Sequence, residues 1–179
     1  MKNLILLLSL ILFSYQSKAE ITIQPVVGYE RVQKISPTPH TKDRAVFGAR
    51  LIYGPPLFSF EAELTKANDT ENFPDRNLII KEDTTAAKLG VRSSFSFPFV
   101  RWYLRAGGAA RKSTITETRS GVVSERDPAI YVSPYAGTGL TVNIMGAFTA
   151  DAGVTVVFTG QPKGSDREYQ TTLGFGVKI

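Results

Sequence analysis

From about residue 20 to the end, apolar and polar side chains alternate with a period of two. The 3.6-residue spacing of an amphipathic helix is almost absent, so the pattern predicts an all-β chain. Eight segments carry the alternation. The first sets Ile21, Ile23, Pro25, Val27 and Tyr29 against Thr22, Gln24, Val26, Gly28 and Glu30, and the second spans Ala45 to Tyr53. The third runs from Phe58 to Thr65, the fourth from Thr85 to Phe95, and the fifth from Val100 to Arg111. The sixth covers about Ile130 to Val142, the seventh Phe148 to Phe158, and the eighth Tyr169 to Ile179.

The two faces differ in charge. No charged residue falls on the apolar face of any segment, whereas the other face carries Glu30, Arg50, Glu61, Glu63, Lys88, Arg92, Arg101, Arg105, Arg111, Asp151 and Lys178. Lipid outside and a polar lumen inside would sort charges in this way. The connections also alternate in length. Gly54 to Pro56, Ser96 to Phe99 and Asn143 to Gly146 are short, while the stretches between Arg31 and Arg44, Lys66 and Thr84, Lys112 and Ala129, and Gly160 and Arg167 are longer and polar. Short turns on one side and long loops on the other are the asymmetry of membrane barrels.

Closure follows from the solvent. Hydrocarbon cannot hydrogen-bond a free strand edge, so a sheet that spans it closes on itself with an even number of strands. The apolar stretches match the roughly 9 to 11 tilted residues that cross the hydrocarbon core. Aromatic side chains sit near both predicted rims: Tyr53, Phe58, Phe97, Phe99, Trp102 and Phe175 toward the short turns, Tyr29, Phe158 and Tyr169 toward the loops.

Before the alternation begins, Met1-Lys2-Asn3 supplies a positive start and Leu4 to Phe13 an apolar run broken only by Ser9. Ser17 and Ala19 then stand where a signal peptidase reads small residues. The expectation is an export signal, residues 1–19, cleaved after Ala19, with a single domain over 20–179. Removing Lys2 and Lys18 leaves 19 basic residues against 16 acidic ones, a formal charge of +3 rather than +5. The basic residues are dispersed, so no nucleic-acid face is expected. The chain has no cysteine, which excludes disulfides, cysteine zinc sites and a lipidated leader. No phosphate loop or metal cluster is found, and no cofactor is expected.

The pattern as a whole resembles the small eight-stranded outer-membrane barrels related to the OmpA transmembrane domain and OmpX. The resemblance covers the mature chain through the leader and the alternating last strand, Leu173-Gly174-Phe175-Gly176-Val177-Lys178-Ile179. It implies an up-and-down antiparallel transmembrane barrel, monomeric, with both termini periplasmic, long loops extracellular, and lipid and lipopolysaccharide around it. In that family the last strand usually ends in Phe or Trp, which the barrel-assembly machinery recognises. This chain ends in Ile179.

Eight strands leave an interior just wide enough for side chains, so the lumen is expected to be plugged and to conduct little or nothing. Pairing the second hairpin through Tyr53 and Phe58 sets Arg50 across from Glu61. Arg92 and Arg105 then lie at similar depth, and Glu63 near Lys88. Together with Asp151 these residues form the expected lumen network, with Arg50, Glu61 and Arg92 at its centre and a structural rather than gating role. Glycines at 28, 48, 90, 107, 137, 139, 153, 174 and 176 all fall on the charged face, where a narrow lumen demands small residues.

Two other readings bear on function. A soluble, lipocalin-like periplasmic barrel holding an apolar ligand would need the apolar face turned inward. A lipid A-modifying barrel enzyme would need a catalytic histidine, and the single one, His40, has only Ser36 and Asp43 as nearby triad partners in a proline-flanked loop. No catalytic residues are assigned, and no enzyme activity is expected. The polar segments Lys66 to Arg76 and Thr116 to Gly121 are expected as exposed loops able to meet lipopolysaccharide, another cell or a phage. The role expected of the whole is structural, in envelope integrity, or in surface interaction.

Overall fold

The computed structural model describes residues 19–34, 37–159 and 167–179. Among the described residues nine strands are formed: β1 (Glu20–Lys34), β2 (His40–Gly54), β3 (Ser59–Phe73), β4 (Leu78–Ser96), β5 (Val100–Arg119), β6 (Val122–Arg126), β7 (Tyr131–Met145), β8 (Phe148–Phe158) and β9 (Arg167–Lys178). All but β6 belong to a closed antiparallel barrel. The sheet runs β4-β3-β2-β1-β9-β8-β7-β5, and pairing of β4 with β5 joins its ends.

The alternation decides which way each face points. Apolar positions face outward, among them Val27, Leu64, Leu89, Leu173 and Phe175, each about half exposed or more. The expected rim aromatics also point out: Tyr29, Tyr53, Phe97, Phe99 and Tyr169 are all exposed. Trp102 stacks on Phe95 at 5.5 Å and donates its indole N–H to Thr138 Oγ1 at 2.8 Å. The interior is polar and packed, with Gln24, Arg50, Glu61, Thr155 and Gln170 at 2% exposure or less. A lipocalin-like barrel requires the reverse arrangement, so that reading is set aside.

The short turns consume different lengths of chain. After Gly54, which takes φ +128°, a tight turn places the Phe58 N–H on the Pro55 carbonyl at 3.0 Å. Neither proline has an N–H to give a ladder. Phe58 therefore belongs to the turn, and Tyr53 pairs with Phe60. The slip from the expected Tyr53–Phe58 pairing is two residues, so every side chain keeps its face while its partner changes.

A larger correction concerns the expected long loops. Much of Lys66 to Thr84 and Lys112 to Ala129 is strand: β3 and β4 stay paired to Phe73 and Leu78 across a 3-10 turn at Pro74–Arg76, and β5 continues to Arg119. There Ser120 and Gly121, both at positive φ, turn the chain into β6, which pairs only with β5. A two-residue Ser-Gly turn with both φ values positive suits the right-handed twist of a hairpin. The expected loop between Arg31 and Arg44 is also largely strand, with β1 and β2 paired as far as Lys34 and His40. The stretch 160–166 and residues 1–18 of the expected leader lie outside the described residues.

Candidate functional site: the charged lumen

The spanning strands bring the inward-facing charges into a compact inner tier. Across β2 and β3, Arg50 stands opposite Glu63 rather than Glu61. Its Nε donates to Glu63 Oε2 at 2.8 Å, its Nη1 to Asp151 Oδ1 at 2.8 Å, and its Nη2 to Thr172 Oγ1 at 3.3 Å. Lys88 pairs with Glu63 in the β3–β4 register, and its Nζ donates to Glu63 Oε1 at 2.6 Å. Lys88 also bonds Gln170 on the far wall.

Arg92 and Arg105 are register partners on β4 and β5. Arg105 Nη1 donates to Glu61 Oε1 at 2.6 Å and to Glu63 Oε2 at 2.8 Å. Arg92 Nη2 donates to Asp151 Oδ2 at 3.0 Å and to Thr141 Oγ1 at 2.8 Å, while its guanidinium lies 3.5 Å from the centre of the Tyr103 ring. Glu61 stands 3.8 Å from Arg50 and 3.5 Å from Arg92. All seven expected residues thus share one cluster, but Glu63 and Asp151 form its centre.

Several members escaped the sequence reading. Tyr103 donates its hydroxyl to Asp151 Oδ1 at 3.1 Å and crosses the lumen toward Gly139 and Gly153. A Cβ on either glycine would stand 2.3 or 2.2 Å from the Tyr103 hydroxyl, so absent side chains make room for the ring. Gln24 and Gln170 supply neutral partners to Arg50 and Lys88. The glycines on the charged face were the available signal for a large cross-lumen residue.

Farther from the short turns lies an outer tier. Glu30 accepts from Arg44 at 2.9 Å and also pairs with Arg111, which bonds Glu168 as well. Arg44 reaches Glu82 at 3.2 Å. Above these, Lys34 Nζ donates to Asp69 at 2.5 Å and lies 3.3 Å from Glu82. Burial works against the Lys34 charge, but the Asp69 hydrogen bond and the nearby Glu82 and Glu71 carboxylates outweigh it and raise its pKa. Asp69 and Glu71, expected in an exposed loop, are buried on β3.

His40 begins β2 and belongs to this tier. Its Nδ1 lies 2.7 Å from the Thr38 carbonyl and its Nε2 2.9 Å from Glu71 Oε1, so both ring nitrogens face acceptors. Only a doubly protonated ring donates to both. The Thr38 hydrogen bond, then the Glu71 hydrogen bond, raise its pKa. Asp43 is held by Arg31 at 2.7 Å on the outside of the sheet. Ser36 lies outside the described residues. Among the described residues, no group of three or more His, Asp or Glu side chains is placed to hold a metal ion.

No family model matches the chain, and no curated protein matches it in sequence. Solved structures do. Neisserial surface protein A superposes with a TM-score of 0.64 at 15% identity, over 89% of this chain and 97% of that one. Ail, the attachment invasion locus protein of Yersinia pestis, gives 0.63 at 16% identity over 90% and 99%. The N-terminal β-barrel domain of Pseudomonas aeruginosa OprF gives 0.60 at 18% identity over 89% and 97%. The chain therefore has the fold of small outer-membrane β-barrels, and identity at this level speaks to fold alone.

Proposed function

We propose that the protein is an integral outer-membrane barrel with a non-catalytic role in envelope integrity or surface interaction, and that its lumen is closed to ions. The observation that carries the reading is the inverted distribution of side chains. A belt of exposed Ile, Val, Leu and Phe surrounds a lumen whose Arg50, Glu61, Glu63, Lys88, Arg92, Arg105 and Asp151 are almost wholly sealed from solvent. Such a belt is unfavourable in water and favourable in hydrocarbon. β8 is 11 residues long, matching a tilted crossing of about 9 to 11.

In this reading residues 1–19 direct export and are removed, the short turns and both termini of the mature chain lie in the periplasm, and the extended ends of β3 to β6 project outside. The assembly machinery inserts the barrel. Closure leaves the spanning strands without a free edge, which favours a monomer. Lipopolysaccharide then surrounds the outer half of the belt. The projecting sheet favours a surface-interaction role, because it stands clear of the belt with β6 wholly exposed.

Fractionation of outer membranes and gel migration with and without heating test the location. An outer-membrane protein whose migration changes on heating is expected; a soluble one with unchanged migration would end the reading. Planar-bilayer recording tests the plug. The expected result is no stepwise current through the wild type, and a steady porin-like conductance would overturn it.

A further inference from the structure

The inner half of the lumen carries more positive than negative charge. Among its described residues, Arg50, Lys88, Arg92, Arg101, Arg105 and Lys178 meet Glu20, Glu61, Glu63 and Asp151, with Glu30 of the outer tier also acting on Lys88. The excess lies at the short-turn end, where Arg101 and Lys178, 19% and 17% exposed at their side chains, have the part-exposed Glu20 as their carboxylate partner. In the outer tier, by contrast, carboxylates at 30, 69, 71, 82 and 168 meet cations at 34, 42, 44 and 111, with His40 beside them.

The imbalance has a location. Toward the short turns the lumen holds a cavity of about 30 Å³, lined by Glu20, Arg92, Arg101, Thr141, Thr149 and Lys178 among others. Three buried donors on its lining make no hydrogen bond: Arg92 Nη1, Arg101 Nε and Thr149 Oγ1. Arg92 is 4% exposed and Thr149 1%. Arg92 Nη1 stands 3.5 Å from Glu61 Oε2, which is itself without a hydrogen bond, so that pair leaves both groups short of a partner. Glu20, the carboxylate on the lining, is partly exposed and stands 3.9 Å from Arg101 and 3.7 Å from Lys178.

A buried donor without an acceptor costs roughly 1 to 3 kcal/mol, and more when it is charged. The cavity exceeds the roughly 10 to 15 Å³ that one water needs. Water alone fills the space but leaves the positive excess in place. An inorganic anion accepts from several donors at once and removes part of the charge excess. We infer that a small inorganic anion of halide size binds in the lumen near its short-turn end, held by Arg92, Arg101 and Thr149 with Lys178 adding charge.

The site rests on the filled-lumen reading above. Bromide is the probe. Crystals of the full barrel grown in bromide should show an anomalous peak within hydrogen-bond reach of Arg92, Arg101 and Thr149. In detergent, the heat-unfolding midpoint read by gel migration should rise when chloride replaces gluconate at constant ionic strength. Thr149→Val and Arg101→Gln should each lose both signals, and Thr149→Val, being isosteric, decides the matter if Arg101→Gln fails to fold. Waters alone in the cavity would overturn the proposal. So would a bromide peak without any anion-specific shift in the midpoint, which marks an adventitious ion only. A barrel silent in planar bilayers but indifferent to the anion sinks this site and leaves the plug standing, whereas a conducting one sinks both.

Discussion

The inner and outer tiers are built from the same kinds of ion pair and share β2 to β5, yet their surroundings differ. Around the inner tier the outward residues are Leu64, Ala87, Leu89 and Ala106, and Arg50, Glu61 and Glu63 have no exposed side-chain surface. Around the outer tier the outward residues on β3 are Lys66, Asn68, Thr70 and Asn72, and its ion-pair members range from Arg44 at 1% to Lys42 at 34% side-chain exposure. One bonding pattern thus serves two purposes. Sealed charges have no solvent to fall back on, so each partner is indispensable; part-exposed charges share theirs with water.

The largest expected effect comes from breaking the sealed tier. Arg50→Met strands Glu63 and Asp151 in the lumen and should cost on the order of 3 to 5 kcal/mol, measured by urea unfolding in lipid vesicles. A loss below about 1 kcal/mol would mean that water enters the tier freely and that the two regions do not differ. Next comes Gly139→Ala. Its Cβ would stand 2.3 Å from the Ala152 carbonyl oxygen and from the Tyr103 hydroxyl, so a loss of about 1 to 3 kcal/mol is expected in the same assay.

The outer tier should respond more weakly and locally. Asp69→Asn weakens the Lys34 and Lys42 pairs and should cost about 1 kcal/mol or less, with faster amide exchange confined to Asn68–Phe73 and Leu78–Asp83. Exchange that quickens throughout the barrel would show the tiers to be one cooperative unit.

The smallest effect is the pH response of His40, which lies outside the spanning segments and meets Glu71, the Thr38 carbonyl and the edge of the Phe73 ring, with Lys34 and Lys42 beyond Glu71. Its folded pKa is raised, so its contribution is complete below the ordinary value of 6.5 and is lost as pH rises through the higher folded value. Amide protection at the ends of β2 and β3 should fall over that window, and His40→Gln should flatten the change. Protection that instead rises with pH would reverse the assigned proton positions.

The two tiers were not equally legible. In the inner tier, lipid-compatible residues outside and charges inside make the period of two visible as hydropathy, and the short turn after β4 brings Arg92 beside Arg105. In the outer tier both faces are polar, so alternation persists in space but vanishes from the hydropathy pattern. Asp69 and Glu71 look like loop residues because Asn68, Thr70 and Asn72 on the opposite face are equally polar. The Ser113-Thr114-Ile115-Thr116 run was a signal for strand, since β-branched residues favour a pleated surface.

What the sequence by itself determined is the number of spanning strands, their order and the face each residue presents, because a period of two leaves a side chain only two directions. Which charges meet was decided by the tertiary structure. A proline-containing turn of one length rather than another moves Arg50 from Glu61 to Glu63 without turning any side chain over, and closure of β4 on β5 brings β2 within reach of Asp151 on β8. These are distances across a lumen, and no spacing along one strand encodes them.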